Sequence, residues 1–69
     1  MLRVGDLVKL KFGIEEVPSG AVGLVIRKRD DLKWTDETGY MIEFGFKNQY
    51  GMSQYLFREK EMELLSESR

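Results

Sequence analysis

The chain of 69 residues has no cysteine, no histidine and only one proline. Without cysteine and histidine it can form neither a disulfide nor a zinc site of the usual Cys/His kind. The same two residue types supply the most reactive nucleophile and the commonest general base at neutral pH. We therefore expect a protein that is not an enzyme and that carries no metal or other cofactor.

Long apolar runs are also missing, so the sequence predicts neither a signal peptide nor a membrane span. This absence favours a cytoplasmic protein with no membrane partner. Sixty-nine residues are enough for one small domain. A domain of this size buries roughly 60% of its unfolded surface and is only marginally stable by itself.

Adjacent acidic residues occur at 15–16, 30–31 and 36–37. Each pair lies in a predicted loop without a partner nucleophile, and a metal ion bound by oxygen would need more ligands than these loops offer. We interpret the pairs as solvated turn residues.

The basic and acidic residues nearly balance, with 11 against 12 and a net charge of −1. They are unevenly distributed, because residues 1–33 carry a charge of +2 and residues 34–69 a charge of −3. A dipolar domain is better suited to docking between protein subunits than to gripping a polyphosphate, which usually requires a strongly basic face.

Five short segments are predicted to be strands, and the first and third alternate between apolar and polar residues, as strands with one buried face do. Turn residues at 18–20 and 48–51 separate some of these segments, and residues 58–60 fit a single 3₁₀ turn. The clearest strand places four apolar residues on one phase: Tyr40, Ile42, Phe44 and Phe46. The predicted strands cover residues 7–12, 21–30, 40–47, 52–57 and 61–65.

The second strand is apolar on both phases over residues 22–26, which predicts burial on both faces, with Gly23 permitting a bend or a close crossing. The predicted interior contains Val8, Leu10, Val22, Leu24, Ile26, Ile42, Phe44, Leu56 and Leu64, with Val25 buried as well. A helix over residues 55–65 is the alternative for the last segment, which is rich in helix formers but has no clean apolar face.

Four segments carry a resemblance to a known class of fold: VGDLV at 4–8, GAVGLVI at 20–26, YMIEF at 40–44 and YLFREKEMELL at 55–65. Their order resembles an SH3-like barrel, and the second segment is similar to the glycine-containing core of KOW-type barrels. As a whole the chain resembles small SH3-like proteins of tailed bacteriophages, many of them virion or accessory components. The resemblance implies a five-stranded all-β barrel over residues 1–65 with a one-turn 3₁₀ helix before the last strand. It also implies a polar tail over 66–69 and a place in the host cytoplasm or the virion.

The leading functional interpretation is a non-catalytic structural or interaction module that docks on a protein partner. Its predicted contact residues are aromatic, because buried Trp and Tyr often anchor protein interfaces: Trp34, Tyr50, Phe46 and Tyr55. Trp34 has two interpretations, a lid over an open barrel end or an exposed anchor on the long loop. Tyr50 stands at the predicted hairpin tip.

Weak nucleic-acid binding is the alternative, since KOW-like barrels often contact RNA or DNA. Four basic residues fall on outward phases of two strands expected to be neighbours, and Trp34 or Tyr40 could stack a base: Lys9, Lys11, Arg27 and Arg29. The acidic net charge and the acids at 30–31 weigh against it, because phosphate contacts dominate such affinity.

We also predict a homo-oligomer, because strand 40–47 and its hairpin carry more aromatic surface than a 69-residue interior encloses. The surplus lies toward the hairpin ends: Phe46, Tyr50, Tyr55 and Phe57. The basic first half and the acidic second half offer complementary patches for contact between copies. The contact is expected near Trp34 and residues 46–55.

Overall fold

The computed structural model describes residues 2–31, 33, 36–47 and 49–66. These residues form one antiparallel sheet in the order β4-β3-β2-β1-β5. Its strands are β1 (Leu7–Leu10), β2 (Val22–Arg29), β3 (Gly39–Phe44), β4 (Gln54–Arg58) and β5 (Met62–Ser66), with a 3₁₀ turn at Glu59–Glu61. The predicted five-stranded all-β fold with one 3₁₀ turn before the last strand is confirmed. The alternative prediction of a helix over residues 55–65 is wrong.

Hydrogen bonds do not close the sheet within the described part of the chain, because β4 pairs only with β3 and β5 only with β1. The 3₁₀ turn joins these two edge strands directly, and two hydrogen bonds hold it against the sheet. The backbone N–H of Lys11 donates to the carbonyl of Glu61 over 2.9 Å, next to the β1–β5 pairing. The hydroxyl of Tyr40, on β3, donates to the carboxylate of Glu59 over 3.4 Å. The described sheet thus has β4 and β5 as its edges, and the barrel stays a prediction.

The core lies on the inner face of the sheet, and the strand register brings its members together. Val8 pairs with Gly23, Val25 with Ile42 and Tyr40 with Phe57. Every strand contributes to the core, and the segments before β1 and between β1 and β2 add one residue each. The buried apolar residues are Leu2, Val8, Leu10, Val17, Val25, Tyr40, Ile42, Phe44, Phe57 and Met62.

Half of the predicted interior is therefore confirmed, and the other half is wrong. Val8, Leu10, Val25, Ile42 and Phe44 are buried. The remaining five are exposed or only half-buried: Val22, Leu24, Ile26, Leu56 and Leu64. In their place the structure buries residues absent from the predicted list: Leu2, Val17, Tyr40, Phe57 and Met62.

Gly23 determines which side chains of β2 face the core. Gly23 lies opposite Phe44, and a Cβ at this position would lie 2.9 Å from the carbonyl oxygen of Glu43 and 3.0 Å from Cδ1 of Phe44. Only a residue without a side chain fits there, so the phase that holds Gly23 and Val25 faces inward. Val22 and Leu24 consequently face outward.

A tight turn before β1 buries Asp6, the one charged side chain that is buried among the described residues. Asp6 accepts a 2.8 Å hydrogen bond from the backbone N–H of Arg3, and Gly5 has φ +99°, a conformation that glycine adopts easily. The backbone of this turn continues the pairing with β2, since Gly5 donates to the carbonyl of Val25 and Val25 donates to that of Asp6. The segment VGDLV is thus a turn that leads into a strand.

None of the five strands ends at the predicted residue, and three of the differences bear on the predicted core or tail. β1 ends at Leu10, two residues early, and β3 ends at Phe44, three residues early. Phe12 and Phe46, predicted on the inner phase of these strands, therefore lie in loops and are exposed. β5 extends to Ser66, the first residue of the predicted tail. None of the described residues belongs to a helix long and apolar enough to cross a membrane.

Candidate functional site: the loop end of the sheet

Two loops leave the sheet at the same end. β1 finishes and β2 begins there, joined by loop 11–21, and β3 finishes and β4 begins there, joined by loop 45–53. The register aligns these ends, because Lys9 pairs with Val22, Gly23 with Phe44 and Glu43 with Gln54. We call this part of the molecule the loop end.

The loop end carries a concentration of exposed apolar side chains. Phe12 is 68% exposed and Tyr50 63% exposed. We define the loop-end patch by its five exposed members: Phe12 and Ile14 from loop 11–21, and Phe46, Tyr50 and Met52 from loop 45–53.

Phe46 connects this patch to the core. Its ring centroid lies 6.0 Å from that of Phe44, in a tilted arrangement, and Phe44 makes an edge-to-face contact with Phe57, also at 6.0 Å. Such geometries are favourable for aromatic pairs. The ring of Phe46 is therefore supported from below while it remains 43% exposed.

The base of loop 45–53 is held by hydrogen bonds. The Ser53 hydroxyl is 3.1 Å from both carboxylate oxygens of Glu43, and the N–H of Phe44 donates to the carbonyl of Ser53 over 2.8 Å. Gly51 has φ +77°, which lets the chain turn back toward β4. A fixed base with exposed aromatic residues above it is an arrangement suited to contact with another molecule.

The structure brings together some of the predicted contact residues and separates others. Phe46 and Tyr50 both lie in loop 45–53 and are exposed. Tyr55 lies in β4 opposite Ile42, half-buried against the core, so it contributes to the fold. Trp34 lies outside the described residues. Phe12, Ile14 and Met52 were not predicted, because the segments around them were assigned to strands or to a featureless loop.

The four basic residues of the nucleic-acid alternative do not form one patch. Lys9 and Lys11 lie toward the loop end, with Lys9 opposite Val22. Arg27 lies five residues further along β2, where about 3.3 Å per residue separates it from Lys9 by roughly 16 Å. Arg29, beyond it, donates a 2.8 Å hydrogen bond to Asp31. This contact lowers the pKa of the exposed Asp31 carboxyl.

The acidic pairs have structural partners or lie in solvent. Asp30 accepts a 2.7 Å hydrogen bond from the hydroxyl of Thr38, and Asp31 pairs with Arg29. Glu37 lies 3.3 Å from the ammonium of Lys60. Within the part of the chain that the structure describes, no three acidic residues lie close enough to hold a metal ion.

An open cleft of about 520 Å³ lies next to the 3₁₀ turn. Two pairs of polar groups interact along its lining, since Lys60 lies 3.3 Å from Glu37 and the Tyr40 hydroxyl donates to Glu59. Burial raises the pKa of Tyr40, and the nearby Glu59 carboxylate adds to this shift. The lining residues are Lys11, Glu37, Thr38, Tyr40, Glu59, Lys60 and Met62. These internal pairs stabilise the connection between β4 and β5.

Comparison of the chain with protein-family models, with curated proteins and with solved structures found no match.

Proposed function

We propose that this protein is a non-catalytic interaction module that docks on a protein partner through the loop-end patch. The observation that carries the proposal is the exposure of Phe12, Phe46, Tyr50 and Met52 at one end of a small domain. The described residues expose eleven large apolar side chains, and five of them lie in the two loops of the loop end.

The character of the patch favours a protein over a polyanion. Protein interfaces are enriched in aromatic residues and methionine and depleted in charge at their centre, and the loop-end patch combines three aromatic residues with Met52 and Ile14. A place in a phage particle agrees with the resemblance of the sequence and belongs to the same proposal.

Photo-crosslinking tests the docking proposal in cells that make the protein. A photoreactive phenylalanine analogue at position 50 should give discrete protein adducts, because this side chain projects from the patch. The same analogue at position 27, on the exposed far part of β2, is the matched control and should give none. Met52→Ser in the position-50 background should reduce the adducts at least severalfold. Equal adducts at both positions, or none at position 50, would overturn the proposal.

A titration with mixed single- and double-stranded nucleic acid at low salt tests the alternative. We expect no binding at micromolar protein, since the basic residues lie in two separate groups. Micromolar or tighter binding that weakens steeply with added salt would favour a nucleic-acid-binding domain instead.

A further inference from the structure

A second apolar surface lies on the outer face of the sheet, opposite the core and next to the loop end. Leu7 and Leu24 are opposite each other on β1 and β2, and Val22 follows on the same face of β2. They are 37%, 40% and 44% exposed, respectively. Leu65 lies beside Leu7 at an irregularity in the β1–β5 pairing and is also exposed. We call these four residues the outer-face patch.

Apolar residues at these positions need an explanation, because the outer face of an antiparallel sheet in contact with water is usually polar. The two central strands instead carry aliphatic residues on both faces. An apolar sheet face of this kind is buried when a second sheet packs on it.

Two opposite charges flank the patch diagonally. Lys9 lies opposite Val22 on the β1 side, and Glu43 lies opposite Leu24 on the β3 side. With β2 between them and a two-residue offset, their Cα atoms are about 12 Å apart. Glu43 is held in place by the Ser53 hydroxyl at 3.1 Å. The Lys9 ammonium forms no ion pair with any described residue, although Glu63 is its neighbour on β5.

This arrangement is complementary to itself. The midpoint between Lys9 and Glu43 lies over β2, halfway between Val22 and Leu24. A two-fold axis in the plane of contact at that point exchanges the two charges, so each lysine meets the glutamate of the other copy. The aliphatic side chains of the two copies then meet at the centre, as an isologous interface requires.

We propose that the outer-face patch binds the same patch of a second copy, forming a two-fold dimer in which Lys9 of each chain pairs with Glu43 of the other. The occupant is a second copy because each chain supplies both the cation and the anion, on opposite sides of the aliphatic residues. A net charge of −1 per chain adds little repulsion between copies. The proposal does not depend on docking of a partner through the loop-end patch.

The outer face of a five-stranded sheet this short is a small interface, in the range of transient complexes. We therefore expect a reversible dimer that forms at high protein concentration and dissociates as salt screens the two ion pairs. The sequence alone predicted self-association near Trp34, which lies outside the described residues, and residues 46–55, whereas the surface proposed here is centred on β1 and β2.

Sedimentation equilibrium of charge-reversal variants tests the dimer. Lys9→Glu and Glu43→Lys should each weaken dimerisation at least tenfold, because each places like charges together twice. The double variant Lys9→Glu/Glu43→Lys should dimerise as the native chain does. An equimolar mixture of the two single variants should form a heterodimer, since Glu43 of the first variant then meets Lys9 of the second and the two substituted residues pair with each other. Lys33→Glu, an exposed reversal outside the sheet, is the control and should leave dimerisation unchanged.

A native chain that stays monomeric at millimolar concentration would overturn the proposal. So would single variants that dimerise normally, or a double variant and a mixture that stay monomeric. Should a charge reversal unfold the chain, as circular dichroism would reveal, Lys9→Gln and Glu43→Gln replace the reversals. Each of these should weaken dimerisation while the fold persists, and unchanged dimerisation in both would count against the ion pairs.

Discussion

The two faces of the sheet contain nearly the same residue types but differ sharply in exposure. Along β1 and β2 the inner face buries Val8 and Val25, while the outer face exposes Leu7, Val22 and Leu24. Neighbouring residues on one strand thus have opposite environments. Apolar character alone does not identify the core of this domain, because strand register and the position of a glycine decide which phase turns inward.

The largest expected difference in the free energy of unfolding is between alanine variants of two neighbouring phenylalanines, Phe44 in the core and Phe46 on the surface. Phe44→Ala should lower the free energy of unfolding by about 3–5 kcal/mol, because it empties the centre of the core. Such a loss would unfold most of a domain this small. Phe46→Ala, at the exposed end of the same aromatic pair, should cost less than about 1.5 kcal/mol. Urea unfolding of both variants measures the difference, and equal losses would contradict the assignment of Phe46 to the surface.

Alanine substitutions at two glycines should differ in stability by an intermediate amount. Gly23→Ala should destabilise the protein by about 1–3 kcal/mol, because the new Cβ would meet Ile42, Phe44 and the backbone of Glu43. Gly45→Ala is the matched control, since a Cβ there has no neighbour within 4 Å and Gly45 is not among the glycines with positive φ. It should be neutral or slightly stabilising. Thermal unfolding measures the stability of both variants. If Gly23→Ala were tolerated as well as Gly45→Ala, this would contradict the inward orientation of Gly23 and Val25 on β2.

The sequence was sufficient to predict the number and type of elements, because alternation and turn residues are local signals. β3 illustrates this, since Tyr40, Ile42 and Phe44 face inward as their spacing predicts. The phase of β2 could not be read from alternation, because residues 22–26 are apolar throughout. It depends on the pairing of Gly23 with Phe44, a contact between residues far apart in sequence.

The predicted burial of Leu64 in the last strand is wrong for another physical reason. Leu64 pairs with Val8 and so lies on the inner phase, but β5 is an edge strand and nothing described covers Leu64 fully. Phase alone does not ensure burial at an edge.

The candidate site was only partly predictable. Tyr50 and Phe46 were identified from their place near a turn. Loop 45–53 is longer than the predicted four-residue turn, and loop 11–21 begins two residues earlier than predicted. These shifts expose Phe12 and Met52. The outer-face patch had a signal in the sequence, namely the second apolar phase of β2, but that signal was interpreted as burial on both faces.

The smallest expected effect is the contribution of Tyr40, on the inner face of β3, to the pH dependence of stability. Burial raises the pKa of Tyr40 above the usual tyrosine value of about 10. The unfolded chain therefore loses this proton at lower pH than the folded chain does. The resulting stabilisation is complete below the unfolded pKa and is lost as pH rises through the folded pKa.

The free energy of unfolding of the native chain should accordingly fall more steeply between about pH 9 and pH 11 than that of Tyr40→Phe. Urea titrations at several pH values measure both slopes, and the remaining tyrosines serve as an internal background common to the two proteins. Identical slopes would mean that the Tyr40 hydroxyl is as well solvated in the folded protein as in the unfolded one.

The central claim is that adjacent residues of β2 belong to opposite faces, one for the fold and one for contact. Lysine substituted at Leu24 and at Val25 tests this claim most directly by urea unfolding. Leu24→Lys should keep the native fold and change stability by less than about 1 kcal/mol, because the new ammonium reaches solvent beside Glu43. Val25→Lys should fail to fold, because it buries an unpaired charge. A folded Val25→Lys together with an unfolded Leu24→Lys would contradict the account.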